Sequence, residues 1–297
     1  MTQQDWLAER FEEHRTHLRS VAYRMLGSLE EADDAVQEAW LRLSRSDTSD
    51  VVNLRGWLTT VVGRVCLDML RSRASRREQP LAFHLPDPIV SPVGRVDPEQ
   101  ETLLAESVGL ALHVVLEKLP PAQRLAFVLH DMFAVPFDEI ATVLGRSTKA
   151  TKQLASRARA RIRADGPPAD ADPARQHEAV QAFFEAARSG DFQALVALLA
   201  PDVVLRSDGA GVAARATLIR GAGAVARQVL TFVRPEAAVH PALVNGAAGV
   251  VVTAAGRPVS VVGFTVRAGV IAAIDGLADP DRLSRLDLSE FTSRDEG

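Results

Sequence analysis

The chain has 297 residues, of which 47% are hydrophobic and 24% charged, and its formal net charge is -4. This length predicts two or three domains, because single cores rarely grow past about 250 residues. No apolar run approaches the roughly 20 residues that span a bilayer, which argues against a membrane protein. The acidic start lacks the features of a signal peptide, and Cys66 is the single cysteine, so we expect a cytoplasmic protein with a buried thiol.

The first third of the chain contains two helices with clear boundary signals. One is predicted to end at Gly27, and the next begins with Ser28 followed three residues later by Glu31, which is a capping-box pattern. This second helix reads SLEEADDAVQEAWLRL, and its apolar residues can face a core. Its mixed outer face could dock a partner helix or could be an ordinary solvated surface. That face comprises Asp34, Gln37, Glu38, Leu41 and Arg42.

A polar loop over residues 47–53 precedes a longer helix, NLRGWLTTVVGRVCLDMLRSRASRRE. Apolar residues repeat every four positions in this helix and are predicted to point inward: Trp57, Val61, Val65 and Met69. The opposite side carries Arg64, Asp68 and Arg71 before a run of arginines. A basic helix beside a polar loop and a tryptophan suits single-stranded DNA, although this pattern alone is a weak indication.

The stretch from Leu119 to Arg163 is typical of a DNA-binding helix-turn-helix. Its first helix is predicted to end at Gly145, and Ser147 is a good N-cap for the second helix. The outer face of that second helix is basic and amide-bearing, so it can enter the major groove. Three arginines farther along, Arg159, Arg161 and Arg163, could reach phosphates. The alternative is a solvated helix in an α-bundle.

The order of these segments resembles the group 4, extracytoplasmic-function (ECF) type of bacterial sigma factor. The resemblance rests on DDAVQEAWLRL, RGWLTTVVGRVCLDMLRSR and LPPAQRLAFVLHDMFAVPFDEIATVLGRSTKATKQLASRAR, and it covers about 165 residues. It implies two all-α domains, region 2 at residues 1–78 and region 4 at residues 102–164, with a Pro-rich linker at residues 79–101. The implied partners are core RNA polymerase, through its β′ clamp and β flap, and promoter DNA.

The resemblance also implies roles for individual residues. The implied polymerase-binding residues are Asp34, Gln37, Glu38 and Leu41. Those implied to bind the minus-10 element are Ser49, Asp50, Asn53, Trp57, Arg64 and Arg71. Those implied to read the minus-35 element are Arg146, Lys149, Lys152, Gln153, Ser156 and Arg157.

The last third of the chain has a different character, after a break at residues 165–174. Helical segments are followed by a strand at Val203 to Arg206, a helix over residues 222–233 and four short strands, which predicts an α+β domain. The predicted turns are Asn245-Gly246, Gly256-Arg257 and Ala268-Gly269. This pattern resembles the SnoaL-like branch of the NTF2-like fold, a cone with a cavity, at residues 175–286. A polar tail is expected at residues 287–297.

A fused SnoaL-like domain makes the whole chain similar to the SigJ or ECF41 type of ECF sigma factor. HLPDP, DGAGV and DPDRL resemble short motifs of that type, which implies that the extra domain regulates the sigma factor in cis. Such regulation could depend on a ligand or partner of the cavity. The residues implied in interdomain regulation are His84, Leu85, Pro86, Asp87, Pro88, Asp208, Gly209, Asp279, Pro280 and Asp281.

Two other functions remain open at this point. SnoaL-like cones include cyclases and isomerases, and His240, Asp208 and Asp275 are acid-base candidates, but no spacing brings them together. We therefore expect no enzyme and no cofactor. His14 and His17 lie one turn apart, yet no further ligand motif accompanies them, so we expect no metal. The second alternative is a helix-turn-helix regulator of duplex DNA that acts without polymerase.

Overall fold

The computed structural model describes residues 3–45, 53–75, 85–94, 109–164, 170, 172–208 and 216–292. These residues form two compact units. The first takes the described residues within 1–79 and 115–166, and the second takes those within 80–100, 107–114 and 167–297. Within the described ranges, no helix is both long and apolar enough to cross a membrane.

The first unit begins with four helices. They are α1 (Gln3–Glu12), α2 (Arg15–Leu26), α3 (Leu29–Leu43) and α4 (Leu54–Ser75). Gly27 ends α2 with a φ of 72°, and the Ser28 hydroxyl accepts a hydrogen bond from the Glu31 amide at the start of α3, as predicted. The Glu31 carboxylate accepts from Arg73 Nε at 3.0 Å. Glu31 therefore also fastens α3 to α4.

The buried side of α4 differs from the predicted stripe. Trp57, Val61 and Met69 are only half-buried. The buried apolar side chains of α4 are Leu58, Val62, Val65, Cys66, Leu67 and Leu70. Because α4 packs against other helices on more than one side, its apolar surface is wide, and the four-residue repeat marks only one edge of it. Cys66 is buried as expected, and its burial raises the pKa of the thiol.

The remaining helices of this unit follow in the chain, and several of them contact α2 or α4. They are α5 (Gly109–Glu117), which starts in the second unit, α6 (Pro121–Phe127), a π-helical turn (Val128–Met132), α7 (Phe137–Leu144) and α8 (Thr148–Ala164). The buried guanidinium of Arg124 donates through Nη1 to the Met25 carbonyl at 2.8 Å and to Glu117 Oε1 at 3.0 Å. A Cβ at Gly63 would lie 3.0 Å from Leu129 and 3.2 Å from Leu125. The two predicted sigma regions therefore pack closely within one unit.

The second unit is an α+β domain, as predicted. Its helices are α9 (Pro173–Ser189), α10 (Phe192–Leu198), α11 (Ala222–Phe232), α12 (Pro280–Leu283) and α13 (Ser289–Thr292). Its strands are β1 (Val90–Pro92), β2 (Leu199–Ser207), β3 (Thr217–Arg220), β4 (Ala237–Val244), β5 (Ala247–Ala254), β6 (Arg257–Arg267) and β7 (Val270–Leu277). The sheet order is β1-β4-β5-β6-β7-β2-β3, and only the β2 and β7 pair among these neighbours is parallel.

The three hairpins of the sheet have two-residue turns in which both central residues have positive φ. The values are 51° and 76° at Asn245-Gly246, 48° and 69° at Ala255-Gly256, and 50° and 78° at Ala268-Gly269. Two turns lie where they were predicted. The middle turn was predicted one residue too late, because Ala255 supplies the first left-handed residue although alanine rarely does so.

Two stretches of the second unit differ from the expected boundaries. The expected polar tail begins with residues that fold onto the domain, since Leu288 and Phe291 are buried in a core cluster together with Val90 and Leu110. Helix α9 starts at Pro173, inside the expected break, with Asp172 as its N-cap. Strands β1 and β3 have no counterpart among the predicted elements. The α+β domain therefore includes part of the Pro-rich linker.

Candidate promoter-binding and polymerase-binding surfaces

The helix-turn-helix is built from α7 and α8 as the sequence predicts. Gly145 has a φ of 62° and ends α7, and the Ser147 hydroxyl accepts from the Ala150 amide at 3.2 Å at the start of α8. These two caps fix a three-residue turn. The inner faces are held together by Ile140, Ala141 and Leu144 of α7 and by Thr151, Ala155 and Ala158 of α8, all of which are buried.

Every predicted position on the turn and on the outer face of α8 is exposed: Arg146 in the turn, and Lys149, Lys152, Gln153, Ser156 and Arg157 on the helix. Residues 146–157 contain four Arg or Lys residues and no Asp or Glu, so this face carries a local positive charge. The Lys152 ammonium lies 5.8 Å from the centroid of the Phe137 ring, which stacks on His130 at 3.6 Å. The face therefore has the charge and amide groups that major-groove recognition needs.

Two of the three arginines that were predicted to reach phosphates have protein partners instead. Arg159 donates to both carboxylate oxygens of Asp131, at 2.6 and 3.2 Å. Arg161 donates to Gln123 Oε1 at 3.0 Å. Both side chains fasten α8 to preceding elements, which sequence spacing could not reveal. Arg163, which is exposed, is the remaining candidate of the three for a phosphate contact.

The predicted minus-10 residues are distributed along α4. Asn53 is the N-cap of this helix, because its Oδ1 accepts from the Gly56 amide at 3.0 Å. Trp57, Arg64 and Arg71 are spaced by seven residues and so lie along one side of the helix over about 21 Å. Arg64 and Arg71 are exposed, and Trp57 is half-buried. Ser49 and Asp50 lie outside the described residues.

The predicted polymerase-binding face lies on α3. Asp34 and Gln37 are exposed, and Leu41 is one of six large hydrophobic residues that are recorded as exposed among the described residues. The fourth predicted residue, Glu38, pairs with Arg42 Nε at 2.9 Å. The face therefore combines an apolar contact with carboxylate and amide groups, which suits a helical partner surface.

His17 lies where α2 meets α4 and Phe133. Its Nε2 is 3.0 Å from Thr59 Oγ1, whose own hydroxyl donates to the Arg55 carbonyl, so Nε2 carries the proton. Its Nδ1 accepts from Arg55 Nη2 at 3.1 Å. Burial, together with the charges of Arg55, His14 and Arg24, lowers the pKa of His17 to about 4. Among the described residues there is no cluster of three metal-ligating side chains.

The low pKa of His17 predicts acid sensitivity of the first unit. Because the pKa rises to about 6.5 on unfolding, the contribution of neutral His17 is present above pH 6.5 and is lost as the pH falls toward 4. We expect the thermal unfolding midpoint to fall less steeply between pH 7 and 4 in His17→Gln than in the parent. His177→Gln, in the second unit, is the control, and an unchanged slope in His17→Gln contradicts the assignment.

In the second unit, three predicted motifs meet at Arg282. Its Nη2 donates to the Leu85 carbonyl and to Asp87 Oδ1, both at 2.6 Å, and its Nη1 donates to Asp208 Oδ2 at 3.3 Å. We call Leu85, Asp87, Asp208 and Arg282 the Arg282 cluster. Leu85, Asp87 and Asp208 were predicted to take part in interdomain regulation. Arg282 was not predicted to do so, although it is the one cation of the DPDRL motif.

The residues around this cluster hold the start of the linker on the sheet. The Ile89 amide donates to Asn245 Oδ1 at 3.0 Å, and the Asn245 amide donates to the Ile89 carbonyl at 2.8 Å. Strand β1 then pairs with β4. Pro86 and Pro88 are buried, Asp279 caps α12, and Pro280 and Asp281 are exposed at its start. His84 and Gly209 lie outside the described residues.

The acid-base candidates each have a separate partner. His240 Nε2 lies 2.8 Å from Thr253 Oγ1. Arg206 donates to both oxygens of Asp275, at 2.5 and 3.1 Å. Asp208 accepts from the Ala278 amide and from Arg282, and burial raises its pKa. These contacts do not assemble the three side chains into one catalytic group.

Two family models of known proteins match the helical part of the chain. Residues 10–76 match the sigma-70 region 2 family model, and residues 109–162 match the sigma-70 region 4 model. The chain is 42% identical to the ECF RNA polymerase sigma factor SigJ of Mycobacterium tuberculosis H37Rv, over 97% of this chain and 96% of that protein. The chain belongs to the ECF family of RNA polymerase sigma factors. The ECF sigma assignment made from the sequence motifs is confirmed.

Two further similarities cover nearly the whole of this chain. The chain is 35% identical to the probable ECF sigma factor SigI of M. tuberculosis H37Rv, over 96% of this chain and 98% of that protein. It matches the crystal structure of M. tuberculosis SigJ with a TM-score of 0.75 and 40% identity, over 93% of this chain and 98% of that one. The function of the family is transcription initiation with core polymerase at promoters, and not catalysis of a metabolic reaction.

Proposed function

We propose that this ECF sigma factor binds core polymerase, at the β′ clamp and the β flap, with α3 supplying the contact residues of region 2. In this proposal α4 contacts the minus-10 element and α8 reads the minus-35 element, while the C-terminal domain regulates the factor in cis. The observation that carries the residue assignment is the exposure of all six predicted positions, five on α8 and one in the turn before it, on a face without carboxylates. A factor that works with polymerase acts in the cytoplasm.

The exposed Leu41 offers a test of the polymerase contact. We expect Leu41→Asp to weaken binding to core polymerase by about 30-fold, because a partly exposed leucine that becomes buried contributes about 2 kcal/mol and a carboxylate there opposes burial. Fluorescence anisotropy of the labelled full chain with core polymerase measures this change. Leu218→Asp, an exposed leucine of the C-terminal domain, is the matched control. Equal affinities of both variants contradict the role of α3.

In vitro transcription tests the function as a whole. The full chain and core polymerase are combined on promoter fragments that the chain itself selects from a random pool. We expect transcripts that start at one position and depend on the added chain. A chain that binds the selected duplex but yields no transcript with core polymerase favours a duplex-DNA regulator instead.

Cis regulation is proposed from the way the second unit holds the segment between the sigma regions. Residues 76–108 number 33 and could reach about 110 Å when extended. The minus-35 and minus-10 elements are about 25 base pairs apart, or about 85 Å. Val90 and Leu110 belong to one buried cluster, so when both are docked only residues 76–84, which could reach about 30 Å when extended, separate the end of α4 from Leu85. Docking therefore restrains the separation of the two sigma regions.

A small ligand of the C-terminal domain is also part of the proposal. The domain contains a cavity of about 1510 Å³ whose lining is mostly apolar. A ligand that binds the docked or the released form with higher affinity shifts the population between them. The same transcription assay, with and without candidate ligands, measures this shift.

A further inference from the structure

The cavity of the C-terminal domain has a mostly apolar lining, which suits an apolar molecule. Its inner wall is formed mainly by aromatic and β-branched side chains: Phe183, Phe184, Phe264, Val229, Val239, Val252, Val262 and Ile274. Its volume exceeds the roughly 300–1,000 Å³ that is typical of sites for small molecules, so a long hydrocarbon body has room.

The mouth of this cavity exposes apolar residues beside two arginines. Ala237 of β4 pairs with Ala254 of β5, which pairs with Arg257 of β6, so Arg257 lies at the end of the sheet where β4 begins. Arg234 is three residues before that start and also lines the cavity. Phe232, Val233 and Val259 line the same cavity and are 47%, 38% and 40% exposed, which makes them three of the six recorded exposed large hydrophobics among the described residues.

The charged residues of the lining all have one sign. They are Arg188, Arg206, Arg234 and Arg257, and the part of the lining formed by described residues contains no Asp, Glu, His or Lys. Arg206 is neutralised by its two hydrogen bonds to the buried Asp275. No ion pair is recorded for exposed Arg234 or Arg257 within the described residues. Guanidinium groups bind carboxylate and phosphate in a planar, two-point geometry, so this mouth suits an anion.

We propose that the cavity binds a single-chain amphiphile with an anionic head, a carboxylate or a phosphate. Its hydrocarbon chain occupies the apolar interior, and Arg234 and Arg257 hold its head at the mouth. The inference rests on the ligand-binding cavity of the proposed function and names the class of that ligand. The cavity of about 1510 Å³ behind the exposed residues favours a small molecule over a flat protein or membrane contact, which needs no cavity.

Equilibrium dialysis of the full chain against four twelve-carbon probes tests the proposal. The probes are dodecanoate, dodecyl phosphate, dodecanol and dodecylammonium, each below its micellar concentration. We expect one of the two anions, or both, to bind at least ten-fold more tightly than dodecanol, and dodecylammonium to bind least. The comparison of dodecanoate with dodecyl phosphate identifies the head. If all four probes bind with equal affinity, the ligand does not need an anionic head, and that part of the proposal is wrong. The cavity would still bind an apolar chain.

Two variants test separately the binding of the anionic head and the binding of the hydrocarbon chain. Arg234→Gln with Arg257→Gln removes exposed charges, so we expect a loss of at least ten-fold for the anions and little change for dodecanol. Val252→Phe fills interior space and should weaken every bound probe. The control is Arg175→Gln with Arg227→Gln, which makes the same change of net charge at exposed residues outside the lining. Circular dichroism checks that each variant is folded.

Two results would overturn the proposed amphiphile site. The first is that none of the four probes binds. The second is that the protein sediments with anionic phospholipid vesicles and Val252→Phe sediments equally well, because the mouth is then a membrane-docking patch. Dialysis uses no polymerase, so it tests ligand binding alone. The transcription assay tests the sigma function independently. Anion binding without an effect on transcription contradicts ligand regulation while supporting the ligand class.

Discussion

Replacing Lys152 and Arg157 by alanine is expected to lower promoter-specific initiation by about 100-fold while leaving binding to core polymerase unchanged. Both side chains are exposed on the outer face of α8, five residues apart on a surface that carries no carboxylate. A bidentate contact to a base contributes about 1–3 kcal/mol of discrimination, and a phosphate contact adds affinity without discrimination. Removal of two such interactions costs roughly 3 kcal/mol, which corresponds to the expected factor.

The control for this prediction is Arg175→Ala with Arg227→Ala, which changes the net charge equally at exposed residues of the C-terminal domain. Initiation is measured by in vitro transcription with core polymerase on promoters that the parent chain selects. If Lys152 or Arg157 binds phosphates, the dependence of DNA binding on salt also becomes shallower, by about one counterion for each phosphate that the variant no longer neutralises. Initiation at the parent level by the double variant contradicts the assignment of α8.

Local signals explain why the helix-turn-helix could be predicted from the sequence. The turn is fixed by Gly145 and Ser147, and each acts through backbone groups within a few residues of itself. The exposed face of α8 follows from helical periodicity once these ends are known. The same reasoning located the hairpins at Asn245-Gly246 and Ala268-Gly269, because asparagine and glycine adopt positive φ more readily than other residues.

Contacts between distant residues could not be predicted in this way. Arg159 was assigned to DNA although it pairs with Asp131, 28 residues earlier, and Arg282 was not selected although it contacts Asp87, 195 residues earlier. Strand β1 is similar, since three residues in a proline-rich segment carry no strand signal until β4 offers an edge. Burial on α4 was misjudged because neighbouring helices, and not its own period, decide which of its apolar residues are enclosed.

Replacing Arg282 by glutamine is expected to release the linker from the C-terminal domain. The side chains of Arg282, Asp87 and Asp208 are only 19%, 18% and 12% exposed, so the variant leaves two carboxylates partly buried without their cation. Removal of one partner of a buried ion pair costs about 3–5 kcal/mol. We expect the amides of Ile89 and Asn245, which are bonded across this junction, to exchange with solvent about 100-fold faster. Arg220→Gln, at an exposed residue of β3, is the control.

Transcription by Arg282→Gln shows whether the docked linker lowers or supports initiation. Release of residues 85–94 lengthens the free segment between the sigma regions, and the extended segment then spans the roughly 85 Å between promoter elements. We therefore expect Arg282→Gln to give more promoter-specific transcript than the parent at equal protein concentration. Arg282→Lys keeps the charge but removes the planar fork, so its amide exchange and its transcript level should both be intermediate. Faster exchange together with less transcript means that the docked linker is needed for initiation, and it contradicts restraint by the C-terminal domain.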